Sequence, residues 1–460
     1  MPAPDEETSL RAEMPRRVAA RRGIRAKLAS GRVDAVANYG LQMLSLGLGF
    51  VSQVAVARVV GVSGYGVYAY ALAWAALVVQ PSLLGLDRVL IRELATYRTA
   101  GKFGLMHGLI RRADQAALIA AVLFGGVVAV IALPISHRDV RTSVAIGVLT
   151  IPVAALGRVR LATLQGLRRA SLGQLTQGVG RTAYFIAFLG IAVAVSSSAH
   201  LSPEAAVGAQ TLAFAGALAT GSFVVRRTLP AGVMRTRPIF ESRSWARSLP
   251  ALAVLTGLTI LNAQLGVIML GAIGAPADAG RFNAAWSSAA IIIVGMTAVG
   301  QVLAPRVAVS FASGDRKAIE GLLTRASKAS LAFAIPPTLF LLVGGPWLLG
   351  LFGHAFRSGS TALAILVGGQ LFNAATGPLG VTLIMTKHER FAALAALGGT
   401  CLNVVLCVLL IPMWHGSGAA VATAASIVVI NSAWLVGVAL KLGIAPSLLG
   451  IRLRLKRGTG

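Results

Sequence analysis

Residues 113–134 read ADQAALIAAVLFGGVVAVIALP, and the only charged side chain in this stretch, Asp114, lies at its beginning. About 20 apolar residues suffice for a helix to cross the hydrocarbon core of a bilayer. An isolated strand cannot satisfy its backbone hydrogen bonds in lipid. The stretch therefore predicts a transmembrane α-helix.

The rest of the chain repeats this pattern. Of its 460 residues, 56% are hydrophobic and 12% are charged, whereas about a quarter of the residues of an average soluble domain are charged. The connections between apolar stretches are short, which excludes a soluble domain of appreciable size. We predict an all-α integral membrane protein with twelve transmembrane helices, at 34–57, 65–87, 113–134, 142–164, 171–195, 203–225, 249–271, 281–304, 328–352, 360–386, 391–411 and 416–440.

Basic residues are distributed unevenly between the two sides of the predicted membrane. Twelve spans place both termini on one side, and that side carries 36 of the 42 Lys and Arg residues. Because loops rich in Lys and Arg stay in the cytoplasm, we expect both termini to be cytoplasmic, in the cell (plasma or inner) membrane. The net charge of +27 would suggest nucleic acid as a partner of a soluble protein, but here no basic domain exists to bind it.

The spans divide into two sets of six, and the halves resemble each other. Residues 101–113 align with 314–326 with five identities, and we interpret each copy as a short amphipathic helix on the inner surface. Both halves begin in the cytoplasm, so we expect a parallel repeat, as in transporters that bind substrate between their halves. The predicted organisation is a basic tail (1–33), an N-terminal six-helix lobe (34–225), a cytoplasmic linker (226–248), a C-terminal six-helix lobe (249–441) and a basic tail (442–460).

Four segments carry a family resemblance. In chain order they are QVAVARVVGVSGYGVY (53–68), GLDR (85–88) with RELA (92–95), LAPRVA (303–308) with SGD (313–315), and residues 403–412 with GSGAA (416–420). They resemble polysaccharide and O-antigen flippases of the multidrug/oligosaccharidyl-lipid/polysaccharide exporter superfamily, over essentially the whole chain. The chain stops without the two further spans usual in lipid II flippases, so we expect it to lie outside that subgroup.

The resemblance implies a MATE-like bundle that flips an undecaprenyl-diphosphate-linked oligosaccharide from the inner to the outer leaflet by alternating access, for export of cell-surface polysaccharide. Polysaccharide polymerases or glycosyltransferases are candidate partners. Two alternatives remain. A drug or cation antiporter of the same superfamily would prefer acidic residues in its cavity, and a membrane-embedded glycan-transferring enzyme would be expected to carry a large external loop. Since no nucleophile constellation, metal spacing or Walker phosphate loop is found, we expect a transporter without enzymatic activity, metal or cofactor.

Arg181 is the first candidate for binding the phosphates. It lies about 15 Å deep in the fifth predicted span at 1.5 Å per residue, where a charged side chain marks a functional site. Gln174 and Gln177 precede it at helical spacing. One interpretation is a cavity-facing cation that binds diphosphate through paired hydrogen bonds. The other is an arginine that pairs with helix carbonyls or extends to the interface.

Other polar side chains complete the candidate substrate site. The first span carries a polar stripe that indicates either a water-lined cavity or hydrogen bonding between packed helices. Four further arginines could together form a ladder of positive charge for an anionic head group. Alternatively, three of the four are anchors at the membrane interface. The stripe contributes Asn38 and Gln42, and Gln53 lies beside it; the possible anchors are Arg58, Arg88 and Arg281, and the fourth arginine is Arg158.

Two further expectations concern the mechanism and the tenth span. No acidic residue falls at mid-membrane, so a proton relay of the usual kind lacks its residues, although ion antiport remains open. An inside-negative membrane potential would itself drive a dianionic head group outward. Residues 373–378 are a candidate kink, because a proline frees a backbone carbonyl inside a helix.

Overall fold

The computed structural model describes residues 4–83, 85–132, 137–196, 201–241, 245 and 250–444, with side chains described from residue 37 and, beyond the linker, from residue 255. The described part is helical, which confirms the predicted all-α class. Besides the α-helices there are a π-helical turn, Leu175–Gly180, and a 3₁₀ turn, His354–Gly359. The helices are α1 (Pro4–Leu83), α2 (Leu86–Thr99), α3 (Phe103–Ala132), α4 (Arg138–Gly166), α5 (Ala170–Gln174), α6 (Arg181–Val195), α7 (Pro203–Thr228), α8 (Ala231–Arg235), α9 (Pro250–Ala272), α10 (Pro276–Ala289), α11 (Ile291–Ala312), α12 (Arg316–Phe352), α13 (Ser360–Thr376), α14 (Leu379–Met385) and α15 (Glu389–Leu442).

Two of the helices are each about twice the length of one span. Within the described residues, nine helices are long and apolar enough to cross a membrane, or ten if the bent pair α13–α14 counts as one span. The longest are Ala37–Leu83, with 47 residues, and Glu389–Leu442, with 54. Each is interrupted by a single non-helical residue, Gly61 (φ 74°) in α1 and His415 (φ 50°) in α15. Each break falls inside a connection predicted from the sequence, 58–64 or 412–415, but it consists of one residue rather than a loop, because the chain remains helical on both sides of it.

The kink predicted at 373–378 is confirmed. Helices α13 and α14 meet at an angle of 42°, and Gly377 adopts a φ of 76°, which glycine reaches without steric cost. The hydroxyl of Ser327 donates a hydrogen bond to the carbonyl oxygen of Thr376 at 3.1 Å. This contact satisfies one of the backbone carbonyls that the end of α13 leaves free.

The prediction of a short, separate amphipathic surface helix in each half is wrong. The aligned segments are the first turns of α3 and α12, which continue without interruption to Ala132 and Phe352. The chain reverses just before each helix, at Gly101 (φ 67°) and Gly314 (φ 72°). No proline follows in the aligned segments, so the helix propagates directly into the apolar span.

Three turns recur at corresponding places in the two halves of the chain. Left-handed residues occur at Gly61 and Gly274, and again at Gly101 and Gly314, with the same sequence separation between the members of each pair. The third pair, Arg168 (φ 57°) and Lys387 (φ 62°), ends α4 and α14. A left-handed residue after a helix is a common C-terminal cap, and its recurrence indicates similar chain paths in both halves.

The N-terminal half (37–241) and the C-terminal half (250–444) meet near Gly61. The backbones of Gly66 and Pro276, and of Gly280 and Val62, approach so closely that no Cβ fits between them. Aromatic rings fill the adjoining space, with the Tyr65 centroid 6.1 Å from that of Phe352 and 5.7 Å from that of Phe356. Such ring contacts contribute about 0.5–1.5 kcal/mol each beyond area burial. We call this region the seal, made by Gln53, Arg58, Tyr65, Gly66, Gly280, Asn283, Ser287, Phe352 and Phe356.

We call the opposite end the basic end, because Arg98, Arg169 and Arg227 line one cleft there and Arg306 and Arg325 line another. The hydrogen bonds and ring contacts that join the described parts of the two halves extend from the seal only as far as Phe50. Gly47 and Gly49 in α1 and Gly257 in α9 have open space where a Cβ would lie. The described hydrogen bonds and ring contacts between the halves are therefore concentrated at the seal, and we expect the interior to open toward the basic end.

Candidate functional site

Hydrogen bonds across the seal involve Gln53, a predicted substrate residue. Its side-chain oxygen accepts hydrogen bonds from the hydroxyls of Tyr65 and Ser287, each at 2.8 Å. The side-chain amide of Asn283 donates to the Tyr65 hydroxyl at 2.9 Å. Since Gln53 and Tyr65 belong to α1 and the other two to α10, this network holds the two halves together.

Arg58 and Arg281 also lie at the seal rather than beside Arg181. Arg58 donates from Nε to the carbonyl oxygen of Leu351 at 2.6 Å, at the end of α12. Arg281 donates to the carbonyl oxygen of Ala355 at 3.1 Å and contacts Asp278 at 2.9 Å. Cations at a helix C-terminus are favourable because the helix dipole is negative there. In this conformation both arginines stabilise the closed end.

Arg158 and Arg181 come together in the interior of the N-terminal half. Arg181 lies about 17 Å along its span from Ala170, and Arg158 about 12 Å from the end of α4 at Gly166, at 1.5 Å per residue. Both lie beside Gln177, because Gly157, the residue before Arg158, lies against the Gln177 side chain, and Arg181 Nε donates to the Gln177 carbonyl oxygen. Neither guanidinium makes an ion pair within the part of the chain that the structure describes. Because a charge at this depth is costly, an anion between the two would relieve that cost.

The guanidinium of Arg158 faces the inside of the bundle. Arg158 follows the lipid-exposed Leu149 by nine residues, which places the two side chains on opposite sides of α4. Arg158 is exposed, whereas Gly157 and Val159 on either side of it are buried. Its accessible surface therefore borders an interior space, and the nearest interacting acid, Asp87, lies at the start of α2.

Arg181 is partly buried and has two neighbours that fix its position. Its Nε donates to the carbonyl oxygen of Gln177 at 3.3 Å, and its guanidinium carbon lies 4.8 Å from the ring centroid of Phe214. This carbonyl contact agrees with the alternative in which Arg181 pairs with helix carbonyls. However, it uses only the Nε donor of the guanidinium. The terminal nitrogens make no hydrogen bond with a described residue, and guanidinium forks bind phosphate oxygens in pairs.

Gln174 and Gln177 hold helices together. Gln174 donates to the hydroxyl of Ser45 in α1 at 3.2 Å. Gln177 donates to the carbonyl oxygen of Ala217 in α7 at 2.7 Å. The Gln177 amide fits between α4 and α7, where Gly157 has no Cβ to obstruct it. These amides set the backbone from which Arg181 projects.

The remaining predicted residues lie toward the basic end. Asn38 and Gln42, in the first part of α1, are partly buried and make no side-chain hydrogen bond with a described residue. Arg88 is 72% exposed and lies 3.9 Å from Asp87. The substrate site predicted from the sequence is thus divided, with Arg158 and Arg181 together in the interior, Asn38, Gln42 and Arg88 nearer its open end, and Gln53, Arg58 and Arg281 at the seal.

Sequence reasoning missed an ion pair inside the N-terminal half. Arg160 Nη2 lies 2.9 Å from Asp114 Oδ2, and both side chains are largely buried, at 15% and 28% exposure. Arg160 also donates to the hydroxyl of Ser222 at 3.0 Å. The pair joins α3, α4 and α7. The signal available in the sequence was Asp114 itself, the one acid in an otherwise apolar span.

A second missed cluster lies in the C-terminal half. The side-chain amide of Asn403 donates to the Asn262 side-chain oxygen at 2.8 Å, and the Ser426 hydroxyl donates to the same oxygen at 3.0 Å. All three residues are buried. Because buried polar groups need partners, this cluster fixes α9 against both arms of α15.

Comparisons with known proteins agree with this architecture. A family model described as "Polysaccharide biosynthesis protein" matches residues 34–311. The "Probable low-salt glycan biosynthesis flippase Agl15" of Haloferax volcanii is 28% identical over 166 residues, which are 36% of this chain and 35% of that protein. The aligned part therefore spans about a third of this relative.

Two solved structures show the same fold. An inward-facing multidrug resistance MATE family transporter of the MOP superfamily superimposes with a TM-score of 0.69 at 12% identity, covering 89% of this chain and 98% of that one. The lipid II flippase MurJ in an inward closed conformation gives 0.64 at 15% identity, covering 88% and 87%. The resemblance inferred from the four sequence segments is confirmed.

Proposed function

We propose that this chain, which belongs to the polysaccharide biosynthesis protein family, flips a lipid-linked oligosaccharide from the inner to the outer leaflet, with undecaprenyl diphosphate as the carrier. The observation that carries the proposal is the pair Arg158 and Arg181, which lie on either side of Gln177 in the N-terminal half. A diphosphate supplies at least two negative charges and several acceptor oxygens. Arginine guanidinium groups match both features, because they are positively charged and donate paired hydrogen bonds to phosphate oxygens.

We propose twelve spans in two six-helix lobes, 34–225 and 249–441, joined by the cytoplasmic linker 226–248. The single-residue breaks in α1 and α15 support this count, because the helix on each side of the break is long enough to cross a bilayer. The recurring left-handed turns support a parallel repeat. By the positive-inside rule the basic end and the tails, 1–33 and 442–460, are cytoplasmic.

In the proposed cycle the head group enters from the cytoplasm while the seal is closed. The diphosphate binds between Arg158 and Arg181, and the glycan occupies the space between the halves while the lipid tail stays in the bilayer. Neutralisation of the two arginines contributes to binding. The halves then rock, so that the seal opens and the basic end closes. Gln53 and Arg58 lose their partners across the seal and become available to the departing head group, and Arg281, whose partners Asp278 and Ala355 belong to its own half, lies beside them.

The membrane potential supplies a driving force for this direction. A charge that crosses the membrane changes its energy by about 2.3 kcal/mol per 100 mV. With the inside negative, a dianionic head group gains about twice that on moving outward. Glycosyltransferases that complete the oligosaccharide would act before the transporter, and a polysaccharide polymerase would act after it.

A drug or cation antiporter is the second candidate, favoured by the similarity to a MATE transporter. The charges disfavour it, because the N-terminal half presents Arg158 and Arg181 to the interior, while Asp114 is paired with Arg160. Proteoliposomes loaded with ethidium would test this directly. Efflux coupled to an ion gradient would favour the antiporter.

The test is a translocation assay in proteoliposomes that contain a lipid-diphosphate-linked oligosaccharide. An impermeant glycosidase measures the fraction of glycan that reaches the outer leaflet. We expect wild-type protein to exceed protein-free vesicles, and Arg158→Ala and Arg181→Ala each to lower the initial rate at least tenfold. Arg181→Lys, which keeps the charge but loses the fork, should give an intermediate rate.

The matched control is Arg111→Ala, which removes an exposed arginine at the start of α3. It should flip at the wild-type rate. Wild-type rates for both interior variants would contradict the assigned site, and a wild-type rate equal to that of empty vesicles would contradict the function.

A further inference from the structure

A cleft of about 650 Å³ lies at the basic end between α11 and α12. Three cationic side chains line it, and apolar side chains complete its wall. The cations are Arg306, Lys317 and Arg325, and the apolar residues include Val309 and Leu322. This cleft is separate from the pair Arg158 and Arg181, which belongs to the other half of the chain.

The charge of the cleft is not balanced by the protein. Arg306, Lys317 and Arg325 are all exposed, and none makes an ion pair or side-chain hydrogen bond with a described residue. No acid lines the cleft. The nearby carboxylate of Asp315 is already engaged, because it accepts a hydrogen bond from the backbone N–H of Ala318 at 2.9 Å and caps α12. The cleft therefore suits an anion.

The position of Arg325 along α12 corresponds to the head-group level of a bilayer. Trp347, which is exposed, follows Arg325 by 22 residues, or about 33 Å of helix. That length is close to the hydrocarbon thickness of about 30 Å. Tryptophan is typical of membrane interfaces, so Trp347 and Arg325 mark the two boundaries of the apolar core on this helix.

The cleft opens on the surface that faces lipid. Arg325 shares one face of α12 with Ala332, Leu339 and Val343, at spacings that bring side chains to the same side of a helix. These residues are exposed, and Val343 is 86% exposed. A continuous exposed apolar strip on a spanning helix contacts acyl chains, so an amphiphile can place its charged group in the cleft and its chains along the strip.

We propose that this cleft binds the phosphate group of an anionic membrane phospholipid in the leaflet at the basic end, with its acyl chains along the exposed face of α12. The phosphate lies among Arg306 of α11 and Lys317 and Arg325 of α12, and so links the two helices. The opening toward lipid, away from the space between the halves, assigns the site to a resident phospholipid rather than to a head group in transit.

Native mass spectrometry of the full chain in detergent tests this proposal with dioleoyl phosphatidylglycerol as the anionic probe and dioleoyl phosphatidylcholine as the zwitterionic one. We expect the first phosphatidylglycerol to bind at least tenfold more tightly than phosphatidylcholine. Attraction of one Lys or Arg to an anionic lipid surface corresponds to about fivefold in affinity. The variant R306Q/K317Q/R325Q should therefore lose most of this preference.

The matched control, K328Q/R390Q/K441Q, removes three exposed cations of the same half that do not line the cleft. It should retain the preference, and all variants should unfold at the wild-type temperature in phosphatidylcholine nanodiscs. Equal losses in both triple variants, or no preference in the wild type, would overturn the proposal.

Two competing ligands test whether the cleft binds an anion other than a phospholipid. Displacement of phosphatidylglycerol by millimolar inorganic phosphate would assign the cleft to a free anion, and displacement by an equimolar polyprenyl diphosphate would assign it to the transported carrier. Either result overturns the phospholipid assignment. Because these measurements involve binding alone, they are independent of whether the chain flips an oligosaccharide.

Discussion

The hydroxyl of Tyr65 offers a direct way to loosen the seal without changing its shape. It donates to Gln53 within α1 and accepts from Asn283 across the interface between the halves. Tyr65→Phe removes both hydrogen bonds but keeps the ring, and thus the contacts with Phe352 and Phe356. The substitution should weaken the closed state and leave the folded halves intact.

The magnitude follows from the bonds lost. An intramolecular hydrogen bond contributes about 0.5–1.5 kcal/mol net, and a buried group left without a partner costs about 1–3 kcal/mol. Asn283 is only partly buried, so water offsets part of its loss. We expect the closed seal to be destabilised by about 1–2 kcal/mol, which is about a 5- to 30-fold increase in the open population.

Cysteine labelling measures that population. Ala284 is fully buried and lies on α10 next to the face that carries Gly280, Asn283 and Ser287. In a background without the two native cysteines, Ala284→Cys should react with an impermeant maleimide only when the seal opens. Tyr65→Phe should raise the labelling rate about 5- to 30-fold.

Tyr68→Phe is the matched control for this substitution. The Tyr68 hydroxyl bonds the Gln210 side chain at 3.2 Å, within the N-terminal half. Removing it should leave the labelling rate unchanged. Equal rates in all three proteins, or equal acceleration by both substitutions, would refute the assignment of the Tyr65 network to closure.

Two further substitutions test the polar contacts inside each half through thermal unfolding in detergent. Arg160→Ala leaves the Asp114 carboxylate partly buried without its ion-pair partner, which should cost about 2–4 kcal/mol after allowing for residual exposure. Arg160→Met combined with Asp114→Leu should restore most of the loss, and no recovery would contradict the pairing. Asn403→Leu deprives the buried Asn262 side chain of a 2.8 Å hydrogen bond and should cost about 1–3 kcal/mol. An unchanged unfolding temperature would count against a structural role for that cluster.

The length and apolarity of the spans could be read from the sequence, but the connections between them could not. The requirement for internal hydrogen bonding in lipid makes each long apolar stretch a helix regardless of its neighbours. Whether the chain leaves the helix between two spans depends on the backbone angles of single residues such as Gly61 and His415. Composition carries no such information, and for that reason two predicted loops are single-residue breaks.

For the candidate site, too, some features could be predicted from the sequence and others could not. The cost of a charge at mid-membrane made Arg181 identifiable from the sequence. The helical spacing of polar residues indicated that Gln53, Gln174 and Gln177 face polar surroundings. It could not show whether those surroundings are water or a neighbouring helix. In the structure each bonds a residue on another helix. Arg160 was overlooked because its partner, Asp114, lies 46 positions away.

Calorimetric binding of a short polyprenyl diphosphate, farnesyl diphosphate, measures whether Arg158 and Arg181 together bind a diphosphate. A hydrogen bond to a charged group contributes about 1.5–3 kcal/mol. The double variant Arg158→Gln/Arg181→Gln should therefore bind at least a hundredfold more weakly than wild-type protein, while Arg111→Gln binds normally. Unchanged affinity in the double variant would contradict the account.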